Sequence, residues 1–174
     1  MSRLFIKHIT RFLVVMFLQV MIFNYLNLFG YINPSVYVFF ILLLPFETPA
    51  WLFLILAFFT GLTQDAFLNT GGIHAAAATF IAFLRPTLLR TISSRREFES
   101  GIKPEVQDLG WKWFLSYSGI LILIYAFITE LLLVFHFSNF GDTLLRVLWQ
   151  ALFTYALVLA FEFVRSLNKQ KAII

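Results

Sequence analysis

The sequence predicts an all-α, polytopic membrane protein of about six transmembrane segments, the second of them short. Three observations carry this. Of 174 residues, 60% are hydrophobic and only 13% charged, whereas a soluble domain carries about 25% charged residues. The apolar residues lie in long blocks, as lipid requires, and not in the short alternation of a half-buried strand. The basic residues gather in parts of the chain that would share one side of a bilayer. The chain reads as one membrane domain over 1–174, with a charged interfacial loop over 85–112.

Segment one is expected over 12–28, after Arg3, Lys7 and Arg11. A basic start before an apolar run also opens a secretory signal, but this run is longer. Asn24, Tyr25, Asn27 and Tyr31 stand where small cleavage-site residues would be needed, so a retained helix is expected. Asn33-Pro34 reads as an N-cap followed by a first-turn proline. Segment two, 36–46, is too short for the roughly 20 residues that cross hydrocarbon as a helix. It is buried among other helices, locally thins the bilayer, or re-enters.

Thr48-Pro49 repeats the cap-then-proline start and opens segment three over 51–68. Asn69-Thr70-Gly71-Gly72 is a turn. Segment four follows over 73–84 and is expected to stop at Arg85-Pro86. Beyond it, Leu88, Leu89 and Ile92 set against Arg90, Arg95 and Arg96 predict a short amphipathic helix on the membrane surface. Trp111, Trp113 and Tyr117 read as an interfacial aromatic belt at the start of segment five, 114–137. Asn139-Phe140-Gly141-Asp142 turns the chain into segment six, 144–164.

With six crossings and a cytoplasmic N-terminus, the C-terminus is cytoplasmic too. Arg146 is then the one basic residue near the outer surface. The net charge of +4 is accounted for by topology, so nucleic acid is not an expected partner, whereas membrane lipid is.

No phosphate loop, paired-carboxylate face, serine-nucleophile signature or metal-spaced histidine set is visible, and the chain has no cysteine. An enzyme is not expected, and neither is a cofactor or a metal. His8, His74 and His136 are read as ordinary interfacial side chains, and Glu162 as a snorkelling acid one turn from Arg165.

Two polar constellations stand out. Glu130 in segment five faces a stripe of Arg146, Gln150 and Thr154 in segment six. It reads as a hydrogen-bond network between two helices or as a transport site. The second is a hairpin. Gly61, Asp65 and Asn69 recur at i+4 on segment three beside Gln64, and Gly71, Gly72, Ala75, Ala78 and Ala82 line the turn and segment four. Small residues let two backbones approach closely. A membrane-embedded Asp65 at a glycine turn has turn amides and Thr or Asn side chains within reach as donors.

The basic N-terminus, the proline-initiated second segment, Gly61-Leu62-Thr63-Gln64-Asp65-Ala66-Phe67, the following glycines and the alanine-rich helix together resemble the rod-shape-determining MreD family. That resemblance spans nearly the whole chain. It implies a noncatalytic scaffold in the bacterial inner membrane, part of the machinery that elongates the peptidoglycan cell wall. Its implied partners are a bitopic MreC-like protein and, through it, other cell-wall elongation proteins. The family fold is similar to the substrate-binding S components of energy-coupling-factor transporters. A vitamin-type uptake subunit is therefore the alternative reading.

Overall fold

The computed structural model describes residues 2–26, 33–92, 102–134 and 140–171, with side chains over 10–26, 33–92, 102–134 and 141–168. The described residues form helices and turns and no strand. Six helices follow in order: α1 Ser2–Met21, α2 Val38–Leu42, α3 Ala50–Leu68, α4 Ile73–Ile92, α5 Val106–Val134 and α6 Phe140–Lys171. Among the described residues, one 3-10 turn, Phe23–Tyr25, follows α1. Four of them, α3 to α6, are long and apolar enough to cross a membrane. Their outward faces carry Trp51, Phe59, Phe67, Phe83, Leu145, Leu148 and Leu152, all exposed. A chain in water would bury such a surface; lipid is its natural solvent. Four helices able to cross a bilayer, with apolar outer faces, are consistent with a membrane protein.

The frame is two antiparallel hairpins, α3–α4 and α5–α6, joined side by side through α4 and α5. Between α3 and α4 the backbones nearly touch. A Cβ built on Gly61 would lie 2.4 Å from the His74 carbonyl oxygen, so only glycine fits there. Opposite it, Ala75, Ala77, Ala78 and Ala82 are buried. Asn69 leaves the face shared by Gly61 and Asp65: it caps α3 in the left-handed region at φ 54°. Gly71 and Gly72, at φ 63° and 98°, form the turn ahead of α4 and are not part of its stripe. Positive φ at three of four turn positions brings the chain back within one short connection.

Several expected boundaries shift. Helix α4 runs through Pro86 to Ile92 instead of stopping at Arg85, so Leu88, Leu89 and Ile92 belong to it and pack on the core. The rest of the expected surface helix, with Arg95 and Arg96, lies outside the described residues. Tertiary contacts on both sides of Pro86 outweigh the one backbone bond that proline removes. Likewise α1 starts at Ser2, ahead of the apolar run, and α6 extends to Lys171. Helix α5 begins at Val106 and is broken at Gly110, whose φ of 83° and ψ of 165° only glycine adopts readily. The aromatic belt is also revised. Trp111 is exposed, but Trp113 and Tyr117 are buried and stacked on each other at 4.7 Å.

Segment two departs most from a spanning helix. Its helical part is five residues, opened by Tyr37 and not by Asn33-Pro34. Around it the backbone bonds are mostly i to i+3, as in Phe39 N to Val36 O at 2.9 Å and Phe40 N to Tyr37 O at 3.0 Å. Every residue from Ser35 to Leu44 is at most 5% exposed. This is the core of the molecule, enclosed by α1, α4, α5 and α6. Of the three expectations for it, burial among other helices is the one observed. Tyr37 meets His74 at one end of α4, and Leu44 meets Arg85 towards the other. Those two α4 residues lie eleven positions apart, about 17 Å along a helix, and the buried segment runs beside α4 over that depth.

Candidate functional site: a polar frame around the buried segment

Backbone buried away from water needs a partner for every N–H and C=O, and in a membrane interior no solvent supplies one. An α-helix meets this need internally, whereas the 33–49 segment cannot. Side chains from four helices meet it instead. Gln19 of α1 reaches both ways: its Nε2 donates to the Pro34 carbonyl at 3.0 Å, and its Oε1 accepts from the Tyr37 N–H at 3.2 Å. Thr154 of α6 accepts the Ser35 N–H on its hydroxyl at 3.1 Å. At the other end, the Tyr117 hydroxyl of α5 donates to the Leu42 carbonyl at 3.1 Å. Arg85 of α4 donates through Nη2 to the Leu44 carbonyl and through Nε to Tyr117 at 2.7 Å. The last carbonyls of α2 would otherwise be orphaned; here a cation meets the negative end of that short helix.

Arg85 is held on three sides by rings. Its guanidinium carbon lies 4.6 Å from the Phe53 ring centre, 5.4 Å from Phe46 and 5.9 Å from Tyr117. A guanidinium suits this setting because it is weakly hydrated and stacks on aromatic faces. The residue expected to open the basic loop is therefore an interior group, 4% exposed.

Near the 69–72 turn, Tyr37, His74 and Tyr125 form a second buried cluster. The Tyr125 hydroxyl lies 2.7 Å from His74 Nδ1, the Tyr37 hydroxyl lies 3.4 Å from it, and the two hydroxyls contact each other. The His74 ring also stacks on Tyr125. His74 is 4% exposed, so it is not the solvated interfacial side chain its isolation in sequence implied. Its backbone is fixed as well: Asp65 accepts the His74 N–H at 3.0 Å on Oδ1 and the Ala75 N–H at 2.8 Å on Oδ2. Thr70 donates its hydroxyl to the same carboxylate. Asp65 thus caps the first turn of α4 from a neighbouring helix, with turn donors of the kind the sequence offered. Gln64 donates to Asn24 Oδ1 at 2.6 Å and ties the α3 end to α1.

The α5–α6 stripe is divided between two tasks. Arg146 acts electrostatically on the buried Glu130. Thr154, placed with them by sequence spacing, serves Ser35 instead. Gln150 is buried between the two. Among the basic residues expected at the surface, Arg90 is exposed in the last turn of α4, and Arg95 and Arg96 lie outside the described residues.

At the opposite end of the bundle, Glu162 is fully buried and does not snorkel. Its Oε1 accepts the Val106 N–H at 3.0 Å, capping α5. Arg165 pairs with Glu105 at 2.6 Å and with Glu162 at 3.2 Å, and Arg11 of α1 lies within electrostatic reach of all three. The acids need this enclosure because α5 starts inside the protein.

Sequence reasoning missed Gln19, Tyr37, Arg85, Tyr117 and Tyr125. The signal for Gln19 was present, as a lone amide in an apolar run, and for Arg85 as a cation just ahead of a proline. The tyrosines offered none, because Tyr is common at membrane boundaries. Among the described residues, no group of three His, Cys, Asp or Glu side chains is placed to hold a metal. What the arrangement does chemically is fix a non-helical segment inside a helical bundle. The chain matches no family model, no curated protein and no solved structure.

Proposed function

We propose that this chain is a noncatalytic membrane scaffold, of the kind the resemblance to the MreD family implies, whose work is to bind the transmembrane helix of a bitopic partner in the cell-wall elongation machinery. The observation that carries this reading is an apolar groove of about 550 Å³ between α1 and α3, lined by residues of α1 from Leu13 to Met21 and by Phe67. Helix α1 leans chiefly on the following turn and on α2, leaving Leu13, Phe17 and Met21 exposed at i, i+4 and i+8. Such a stripe beside the exposed Phe67 suits ridge-into-groove packing by one more helix. The polar interior is largely occupied with holding the 33–49 segment, which rigidifies the surface on offer.

In this reading the protein sits in the bacterial inner membrane and the chain passes six times, the second time through the buried segment. Both termini are cytoplasmic. Thr70→Cys then reacts with an impermeant thiol reagent added outside cells, and Ser94→Cys does not. Ser35→Cys stays protected until the protein is unfolded.

The scaffold reading is tested by placing a photo-crosslinking residue at Phe17 and at Phe67 in a rod-shaped host. A crosslink to the bitopic MreC-like protein, together with rounding of depleted cells, is the expected result. Loss of uptake of one vitamin with unchanged cell shape would instead establish the uptake subunit, which the irregular backbone at membrane depth favours.

A further inference from the structure

Helix α1 has two working faces. Val15, Gln19 and Phe23 on one are buried, and Leu13, Phe17 and Met21 on the other are exposed. The buried face covers segment two. There the Phe12 ring meets the Phe40 ring edge-on at 5.2 Å, and Gln19 holds the Pro34 carbonyl at 3.0 Å and the Tyr37 N–H at 3.2 Å. The exposed face lines the apolar groove opposite Phe67 of α3, and Gln19 takes no part in that lining. One helix therefore stands between the groove and the buried segment.

The same helix is the least secured of the long ones. Helices α3 to α6 pack in pairs, whereas α1 leans chiefly on the turn that follows it and on α2. Its tie to α3 is polar and lies at one end, where Asn24 Oδ1 accepts from Gln64 at 2.6 Å and from Gln19 at 2.9 Å. Elements with few buried contacts open locally at a lower free energy than the core around them. When α1 lifts from segment two, Gln19 goes with it, and the Pro34 carbonyl and the Tyr37 N–H lose their partner. A helix seated in the groove packs on α1 and Phe67 together, which requires α1 in its docked position. A ligand that prefers one of two states shifts the population towards it.

We propose that α1 is a cover over segment two, that a partner helix in the groove locks it shut, and that Gln19 is the latch. The proposal rests on the scaffold reading and adds what occupancy of the groove does to the protein. The effect passes inward through Tyr37, whose backbone Gln19 holds and whose hydroxyl touches Tyr125 and His74.

The test is amide hydrogen exchange of the full chain in nanodiscs, read at single residues by mass spectrometry. The protein alone is compared with its complex with the host's bitopic MreC-like protein, captured by a photo-crosslinking residue at Phe67. Alone, the Tyr37 amide is expected to exchange about tenfold faster than the Ala75 amide, which Asp65 holds inside the α3–α4 hairpin. In the complex, exchange at Tyr37 is expected to slow about tenfold while that at Ala75 is unchanged. Gln19→Leu removes the latch and leaves the groove lining intact, so the crosslink still forms and no longer slows Tyr37. The comparison of Tyr37 with Ala75 needs no variant and decides the matter even where Gln19→Leu does not fold. Equal exchange of the two amides in the free protein, a crosslink that leaves Tyr37 unchanged, or equal slowing in Gln19→Leu overturns the proposal and leaves the scaffold reading standing. No crosslink at Phe67 overturns the scaffold reading, and the proposal with it.

Discussion

The α3–α4 hairpin and the 33–49 segment lie against each other at the same depth, and they are built on opposite principles. The hairpin satisfies its backbone internally, so its side chains are free to be small, and Gly61 facing His74 and Ala75 brings two helices into near contact. The buried segment has little helix, so the backbone groups that its own turns leave open are bonded by Gln19, Arg85, Tyr117 and Thr154. One region is defined by residues that add almost nothing and the other by residues that reach a long way. Irregular backbone is tolerated at membrane depth because the surrounding protein supplies the polar partners that lipid lacks.

Mutations at the two regions should therefore differ in kind. The largest effect is expected at Arg85. Arg85→Met removes the donor to the Leu44 carbonyl and the donor to the Tyr117 hydroxyl, which keeps its bond to Leu42, and a loss of about 3–5 kcal/mol follows from two lost hydrogen bonds to a charged group. Unfolding in detergent measures it, and a cycle with Tyr117→Phe is expected to be strongly non-additive. Additive losses would separate the two residues and undo the frame as a unit.

Gly61→Val comes next. The three nearest atoms to a new Cβ are 2.4, 2.5 and 2.6 Å away and all belong to α4 backbone, which cannot rotate aside. A loss of about 1–3 kcal/mol is expected from overpacking, and a spin-label pair across α3 and α4 should report a wider spacing. An unchanged spacing would refute close approach as the organising feature of the hairpin.

Asp65 sharpens the contrast, because it is where the hairpin does rely on a side chain. Asp65→Leu leaves the His74 and Ala75 N–H groups without an acceptor, at about 1–3 kcal/mol. Asp65→Asn keeps one acceptor oxygen and is expected to lose less than half as much. Equal losses would show that charge, and not acceptance, is what α4 requires.

The smallest effect is expected for Thr154→Val, about 1 kcal/mol, since one neutral hydrogen bond is lost and the shape is kept. Its diagnostic value is local: amide exchange at Ser35 should accelerate while that of Ala75 stays unchanged.

Most of the helical frame was legible in the sequence. Long apolar blocks, the Asn69–Gly72 turn and the glycine and alanine spacing follow from helix period and from what lipid demands, both local properties. Asp65 was legible for the same reason, since its donors lie within ten residues of it. Boundaries at Pro86 and Trp113 were misread because rules for helix ends and aromatic belts describe a helix facing lipid or water. These residues face protein.

The sequence by itself determined that the chain belongs in lipid, that it is helical, and that residues 36–46 are too few to cross as a helix. It also singled out Gly61 and Asp65 as a pair on one helix face. Only the tertiary structure decided where the short segment goes and what holds it. Gln19, Arg85, Tyr117 and Thr154 lie between 15 and 119 residues from their backbone partners, beyond any helical period. Helix period governs which side chains share a face, but a backbone group with no helical partner bonds to whatever polar side chain the packing brings within about 3 Å.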